Sequence, residues 1–469
     1  MVFSSLIFLY AFLPLVLILY KLPKTIRGKN VVLFIASMFF YAWGEPVWIF
    51  QMLISGTSVY VFALLVDKYS SDKKKAFFFL ILGIISALVP LAIFKYSSFL
   101  IKNFNVLTGY NLTLPKFKMP IGISFYTFQI ISYIVDLHRG ECTVQKNIFK
   151  FWLYEALFPQ LIAGPIVRYS DVESEINSKT VSPADEAYGI TRFAVGLSKK
   201  VLLANYAGNI VSKTIAPDVL NDATVLSSAI GLLAWSFQIY FDFSGYSDMA
   251  IGLGRIFGFH FKENFNYPYI SSSVTEFWRR WHISLGTFFR DYVYIPLGGN
   301  QKNQAFNIFA VWFLTGLWHG ADWNFILWGL FFAFFLVLEK YFLKKLFSNL
   351  PRFIRLFYTL TVIYLSWAIF YYTDLSDLCL FFTKLFALNK TEVLDFESRM
   401  FLEQNLFFFM LAAFASTPAA FNFAMRLFKK TSYNRVFTTF NAAAVIFAII
   451  LCTASLVGDS FNPFLYFRF

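Results

Sequence analysis

Charge is scarce in this chain of 469 residues: only 14% are Asp, Glu, Lys or Arg, against 58% hydrophobic. Soluble domains carry about 25% charged residues, so the groups that would cover a globular surface are missing and a soluble enzyme is excluded. Cysteine is almost absent. Cys142, Cys379 and Cys452 lie far apart, match no metal or redox spacing, and read as apolar filler. There is no Gly-x-Ser-x-Gly elbow, no Walker loop, no His-Glu-x-x-His pair and no Asp-His-His-Cys run, which removes the commonest hydrolase, nucleotide-binding, zinc and thioacyl-carrying sites. No internal repeat is present, and the polar stretch Tyr169–Asp185 reads as a loop.

Long apolar runs dominate what is there, and the mean hydropathy is +0.60. They cover Val2–Tyr20, Val31–Val66 (interrupted at Gly44-Glu45-Pro46), Ala76–Phe94, Ile121–Val135, Leu226–Phe243, Phe306–Trp318, Phe325–Phe342, Phe353–Tyr371, Leu406–Phe423 and Val436–Leu456. A bilayer crossing needs roughly 20 apolar residues, so about ten or eleven crossings are expected. Val2–Tyr20 has neither a charged leader nor a small-residue cleavage site, so it reads as a span rather than a signal peptide. The net charge of +13 does not point to nucleic acid, because the basic residues cluster at the ends of apolar runs. Lys21, Lys24, Arg27 and Lys29 follow the first run, and Lys68 and Lys73–Lys75 follow the third. Placing both clusters in the cytoplasm puts the amino terminus and Glu45 outside. Lys95, Lys102, Lys116 and Lys118 then fall on an outer segment and weaken the rule there.

These features predict an all-α polytopic integral membrane protein with one domain, read as N-terminal spans (1–115), a catalytic zone (116–330) and C-terminal spans (331–469). In the middle zone Gly, Pro and polar residues break the apolar pattern, as in Met119–Phe125 and Phe158–Pro165. Broken backbone at membrane depth persists only where protein buries it or where it lines a wet cavity.

The chain has four histidines, and two sit in unusual surroundings. His319 lies in Gly316-Leu317-Trp318-His319-Gly320 at the junction of two apolar runs. An imidazole there can act as a general base or simply hydrogen-bond a carbonyl, and Gly316 and Gly320 would admit backbone or substrate. His282 lies in Glu276-Phe277-Trp278-Arg279-Arg280-Trp281-His282, followed by Phe289-Arg290. That segment reads either as an interfacial amphipathic helix anchored by Trp278, Trp281 and Phe289, or as a segment folded back to present His282 toward His319. A third cluster, Gln238–Met249, holds Asp242, Ser244 and Asp248. No His or Cys joins it at ligand spacing, so no metal site is expected. The carboxylates are expected to pair with an arginine such as Arg255, or to cap helices broken at Gly245.

Taken in order, these pieces resemble the membrane-bound O-acyltransferase (MBOAT) family, in its bacterial alginate and peptidoglycan O-acetyltransferase branch. The resemblance runs through Pro120–Gln129, Pro159–Arg168, Tyr240–Gly252, Asn264–Tyr269, Glu276–His282, Tyr294–Asn300, Gly316–Gly320 and the terminal Asn462–Phe469, nearly the whole chain. It implies His319 as the catalytic residue and His282 as a second histidine across the reaction chamber. Trp318, Asp242, Ser244, Asp248, Trp281 and Asn324 are the tunnel-lining or substrate-positioning candidates beside them. His138 stands where relatives carry Tyr and reads as structural, and His260 has no motif to support it. Asp322 falls where relatives often have Ser.

The resemblance further implies acyl transfer in the bacterial cytoplasmic membrane, without a bound cofactor. An acetyl-CoA or other acyl thioester donor would enter from the cytoplasm, and the acceptor from outside. The implied partners are an extracytoplasmic esterase-like acetyltransferase and a glycan acceptor, alginate-like exopolysaccharide or peptidoglycan. Competing readings are a transporter or flippase, a non-catalytic scaffold for an acetylation complex, and, within the family, D-alanyl transfer to teichoic acid.

Overall fold

The computed structural model describes residues 1–115, 117–162, 164–419, 422, 434–458 and 464–465. Of the terminal Asn462–Phe469 motif, only Phe464 and Leu465 fall within them, and Lys116 and Ala163 fall outside. Among the described residues every regular element is helical. Six helices among the described residues are long and apolar enough to cross a membrane: Trp48–Lys68, Lys73–Thr108, Val225–Ile256, Trp323–Asn349, Arg352–Tyr371 and Thr438–Gly458, while Phe8–Lys21 is shorter.

The chain divides into two compact units. The first holds residues 1–193 and 246–263, the second 194–245 and 264–465. In the first unit lie α1 (Leu13–Lys21), α2 (Ile26–Gly44), α3 (Trp48–Lys68), α4 (Lys73–Leu91), α5 (Ser97–Thr108), α6 (Ile123–Arg139), α7 (Ile148–Ala156) and α8 (Tyr169–Asn177). Their ends follow local chemistry. Thr25 and Asp72 cap α2 and α4 by accepting from Gly28 N and Lys75 N. The Gly44-Glu45-Pro46 break separates α2 from α3, as the sequence suggests. Pro90 lies inside α4, and a π-helical turn, Ala92–Tyr96, follows it before α5.

Two expectations fail here. The Tyr169–Asp185 stretch is not a loop: α8 forms because Tyr169, Val172 and Ile176 make one buried face. Nor is there a break at Gly245. Helix α9 (Pro183–Ser198) and helix α11 (Val225–Ile256) are continuous, and a Cβ on Gly245 would sit 2.7 Å from Gly196 O. Glycine there serves close packing of helices rather than a bend.

The second unit adds α10 (Asn205–Thr214), α12 (Val274–Arg280), α13 (Ile283–Phe289), α14 (Gln304–His319), α15 (Trp323–Leu338), α16 (Lys344–Asn349), α17 (Arg352–Tyr371), α18 (Leu375–Leu385), α19 (Phe396–Ala415) and α20 (Asn434–Gly458). Its core is aromatic: Trp235, Phe277, Trp281, Trp328, Trp367 and Phe370 are all buried in one cluster. The Trp235 indole donates to Trp367 O at 3.2 Å, so a polar edge inside that cluster is satisfied.

Candidate active site

His319 is the last residue of α14, and only Gly320-Ala321-Asp322 separates it from α15. These two helices pack almost backbone to backbone. A Cβ on Gly316 would lie 2.3 Å from Phe325 O, and one on Gly329 would lie 2.3 Å from Trp312 O. A Cβ on Gly320 would strike the Phe325 ring at 2.1 Å. The glycines around His319 therefore admit the neighbouring helix and its side chains, not substrate. The hairpin leaves His319 buried among rings, with centroids at 4.9 Å to Trp318, 5.0 Å to Trp328 and 5.3 Å to Phe370. Asn324, fully buried, donates to the carbonyls of Ile369 and Phe370 at 3.3 Å and ties α15 to the end of α17.

His282 is held differently. It occupies the left-handed region (φ 45°, ψ 54°) between α12 and α13, a conformation a non-glycine residue adopts at a cost that its surroundings must offset. Hydrogen bonds supply that. Ser273 accepts from Glu276 N at 2.9 Å and starts α12. Glu339, buried at the end of α15, accepts from Val274 N at 2.6 Å, Thr275 N at 2.9 Å and Thr275 Oγ1 at 2.7 Å. A carboxylate at a helix N-terminus satisfies otherwise orphaned donors and meets the helix dipole. Below the hinge, Asn264 O accepts from Ile283 N, and Asn264 Oδ1 accepts from Ser284 N and Ser284 Oγ at 3.0 and 2.9 Å. Asn266 and Arg280 exchange backbone and side-chain bonds across the same turn.

The segment does fold back, and its aromatic residues are not interfacial anchors. Trp281 and Phe289 are buried, and Trp278 packs on Trp312, Trp328 and Phe332 at 4.6, 5.5 and 4.7 Å. Trp278 is thus held against α14 and α15, while Trp281 packs on Trp367 of α17 at 5.0 Å.

Trp318 joins the two histidines: its ring is 5.8 Å from His282 and 4.9 Å from His319, edge-to-face in both cases. Phe243 closes the other side of His282 at 4.7 Å. Nε2 of His282 is buried and has no hydrogen-bond partner. Nδ1 faces Ser284 Oγ at 3.5 Å. Because the Ser284 hydroxyl proton goes to Asn264 Oδ1, Oγ is left to accept, which assigns the proton to Nδ1 and a free lone pair to Nε2. Burial lowers the pKa of this ring to about 3, so it is neutral at physiological pH.

The Asp242, Ser244 and Asp248 cluster does not act as a group. Asp242, in the second unit, is buried against Lys200 Nζ at 2.5 Å and accepts from Leu465 N at 2.7 Å. Phe464 lies 5.8 Å from Phe243, one ring away from His282. Ser244 is buried in the same unit. Asp248 belongs to the first unit, where Arg192 meets it at 2.6 Å and meets Glu263 at 2.6 Å. Arg255 pairs instead with Asp185 at 3.0 Å. Two carboxylates six positions apart on a helix point about 120° away from each other, so each finds its own cation. His138 packs near Phe77 at 6.2 Å and exposed His260 pairs with Glu175 at 2.6 Å, both within the first unit. Among the described residues no three His, Cys, Asp or Glu side chains gather as metal ligands would.

Sequence reasoning missed Glu339, Lys200 and Asn264. For Glu339 a signal existed: it is a charge inside the apolar run Phe325–Phe342, which at membrane depth marks a structural or functional pairing.

Residues 144–382 match the model of the MBOAT, membrane-bound O-acyltransferase family. The sequence is 37% identical to the probable alginate O-acetylase AlgI of Pseudomonas putida over 100% of both chains. It is 31% identical to the peptidoglycan O-acetyltransferase of Helicobacter pylori, over 79% of this chain and 77% of that one. With the teichoic acid D-alanyltransferase of Bacillus subtilis it shares 30% identity, over 48% and 60% of the two chains. Six apolar helices and these matches together lead to one conclusion: the chain is a multi-pass membrane acyltransferase and belongs to the membrane-bound O-acyltransferase family, in the branch of the alginate O-acetylases and peptidoglycan O-acetyltransferases.

Proposed function

We propose that this protein, in the bacterial cytoplasmic membrane, moves an acetyl group from a cytoplasmic thioester, acetyl-CoA by expectation, for O-acetylation of an extracytoplasmic polysaccharide. The observation that carries the reading is the buried row His282–Trp318–His319, with a lone pair at His282 Nε2 and the rings of Trp318, Trp328 and Phe370 packed on His319. The names of the alginate and peptidoglycan relatives support the acetyl group and a glycan acceptor.

In this mechanism His282 Nε2 accepts a hydrogen bond from the incoming hydroxyl and orients it. His319 removes the hydroxyl proton as oxygen attacks the thioester carbonyl, and returns it to the departing thiolate, so no net proton is released. The ring wall excludes water that would otherwise hydrolyse the thioester. The acceptor is a sugar hydroxyl, or a hydroxyl on an extracytoplasmic esterase-like partner that completes the transfer.

The test is alkali-released ester acetate, measured separately in sacculi and in exopolysaccharide. The strain lacks this protein and carries either wild type or His319→Ala at equal abundance. Ester restored by wild type and lost by at least 100-fold in the variant, the scale of general acid–base catalysis (about 10²–10⁴-fold), supports the reading, and the fraction names the glycan. Equal restoration by His319→Ala sinks it in favour of a scaffold or transporter.

A further inference from the structure

On the first unit, one buried cation has no acidic partner in contact. Lys179, in the segment between α8 and α9, is only 9% exposed. Its Nζ stands 3.8 Å from the centroid of Phe259 and 5.8 Å from that of Tyr20, and makes no hydrogen bond. The Tyr20 ring also carries Lys29 Nζ at 5.2 Å, so two ammonium groups share one aromatic ring. Gly258, at φ +81°, forms the adjoining wall, where a Cβ would sit 3.2 Å from Lys179 Cδ. Neighbouring cations are satisfied: Lys21 pairs with Glu186 at 3.3 Å, Arg255 with Asp185 at 3.0 Å, Lys262 with Asp171 at 2.5 Å and His260 with Glu175 at 2.6 Å.

Ring faces attract an ammonium but accept none of its three N–H bonds in the way an oxygen does. Burial lowers the Lys179 pKa to about 7, with Glu175 opposing the shift and Lys29 adding to it. An anion with several oxygens would answer both deficits, filling the donors and cancelling the repulsion between the two lysines. Lys29 belongs to the basic Lys21–Lys29 loop, whose charge assigns it to the cytoplasmic side.

We propose that Lys29 and Lys179, flanking Tyr20, form a phosphate-binding site on the cytoplasmic edge of the first unit. The phosphate comes from a thioester donor of the coenzyme A type or from an anionic lipid headgroup. Only the first source rests on the cytoplasmic-donor reading above.

The experiment uses the full-length protein in nanodiscs, as wild type, Lys179→Met and Lys29→Met. Methionine keeps an apolar stem against the rings and removes the charge. Coenzyme A binding is measured by calorimetry in phosphatidylcholine discs, and retention of phosphatidylglycerol by native mass spectrometry from mixed discs. Loss of one charge-assisted contact predicts about tenfold weaker binding. A tenfold loss for coenzyme A in either variant supports the site and names the donor as its ligand. A loss confined to phosphatidylglycerol supports it with lipid as the source. Unchanged binding of both probes in both variants overturns it. Should Lys179→Met not fold, the partly exposed Lys29→Met decides alone. If His319→Ala restores ester acetate in cells, the acyl-transfer reading fails while this binding comparison still stands.

Discussion

The two histidines of the second unit are presented by opposite means. His319 ends a hairpin whose helices touch through Gly316 and Gly329, and the rings of Trp318, Trp328 and Phe370 pack on it. His282 sits at a left-handed hinge whose shape is set by hydrogen bonds accepted by Glu339, Asn264 and Ser273. The first region tolerates no added volume, and the second tolerates no lost acceptor. A reaction chamber assembled from both would fail in two distinguishable ways.

The largest break should come from volume. Gly316→Ala places a methyl 2.3 Å from the Phe325 carbonyl oxygen, an atom of backbone that cannot swing aside. Overpacking costs about 1–3 kcal/mol when side chains can adjust, and more is expected here. Folded protein recovered from membranes should fall severalfold, judged by size-exclusion profile. Gly320→Ala is the control, since its methyl meets the movable ring of Phe325 and should be milder. Equal recovery of both variants would mean that the hairpin is not closely packed.

Acceptor loss comes next. Glu339→Ala strips three hydrogen bonds from the start of α12 and leaves two backbone donors buried. Bonds to a charged group contribute roughly 1.5–3 kcal/mol each, with incomplete additivity, so stability should fall by about 3 kcal/mol. Because α12 leads through Trp281 into His282, the hinge should also shift, and misplacement by 1 Å can cost about 100-fold in rate. Glu339→Gln retains one acceptor oxygen and should recover part of the turnover. If Glu339→Ala lowers the melting temperature without lowering kcat below the hinge-intact level, the carboxylate holds the fold but not His282.

The same contrast explains what was legible beforehand. The hairpin could be read from the runs Phe306–Trp318 and Phe325–Phe342 with Trp-His-Gly between them, because its packing is local and periodic. Ser273 and Glu276 mark the start of α12 as a cap pattern. The left-handed His282 could not be read, since its φ is imposed by Glu339, remote in the chain, and by Asn264. The misread α8 had its signal in Tyr169, Val172 and Ile176, masked by polar residues between them. The split of Asp242 from Asp248 was legible too, from the helical angle between positions six apart. What sequence could not supply was the identity of each cation: Lys200 and Arg192 are chosen by tertiary packing.

The finest test concerns one proton on the hinge. Ser284 Oγ gives its hydrogen to Asn264 Oδ1 at 2.9 Å and faces His282 Nδ1 at 3.5 Å. That arrangement holds the Nδ1–H tautomer and leaves Nε2 to accept from the acceptor hydroxyl. At 3.5 Å the bond is long, so its contribution is near the weak end of the usual 0.5–1.5 kcal/mol. Ser284→Ala should therefore lower kcat only about two- to fivefold, with the melting temperature nearly unchanged. Ser284→Thr, which keeps the hydroxyl, should restore the rate. The tautomer can be read directly from the 15N shifts of His282 in labelled protein, where Ser284→Ala should shift population toward Nε2–H. Unchanged shifts with an unchanged rate would show that the ring is oriented by Phe243 and Trp318 alone, and the hinge would then owe its chemistry to packing as the hairpin does.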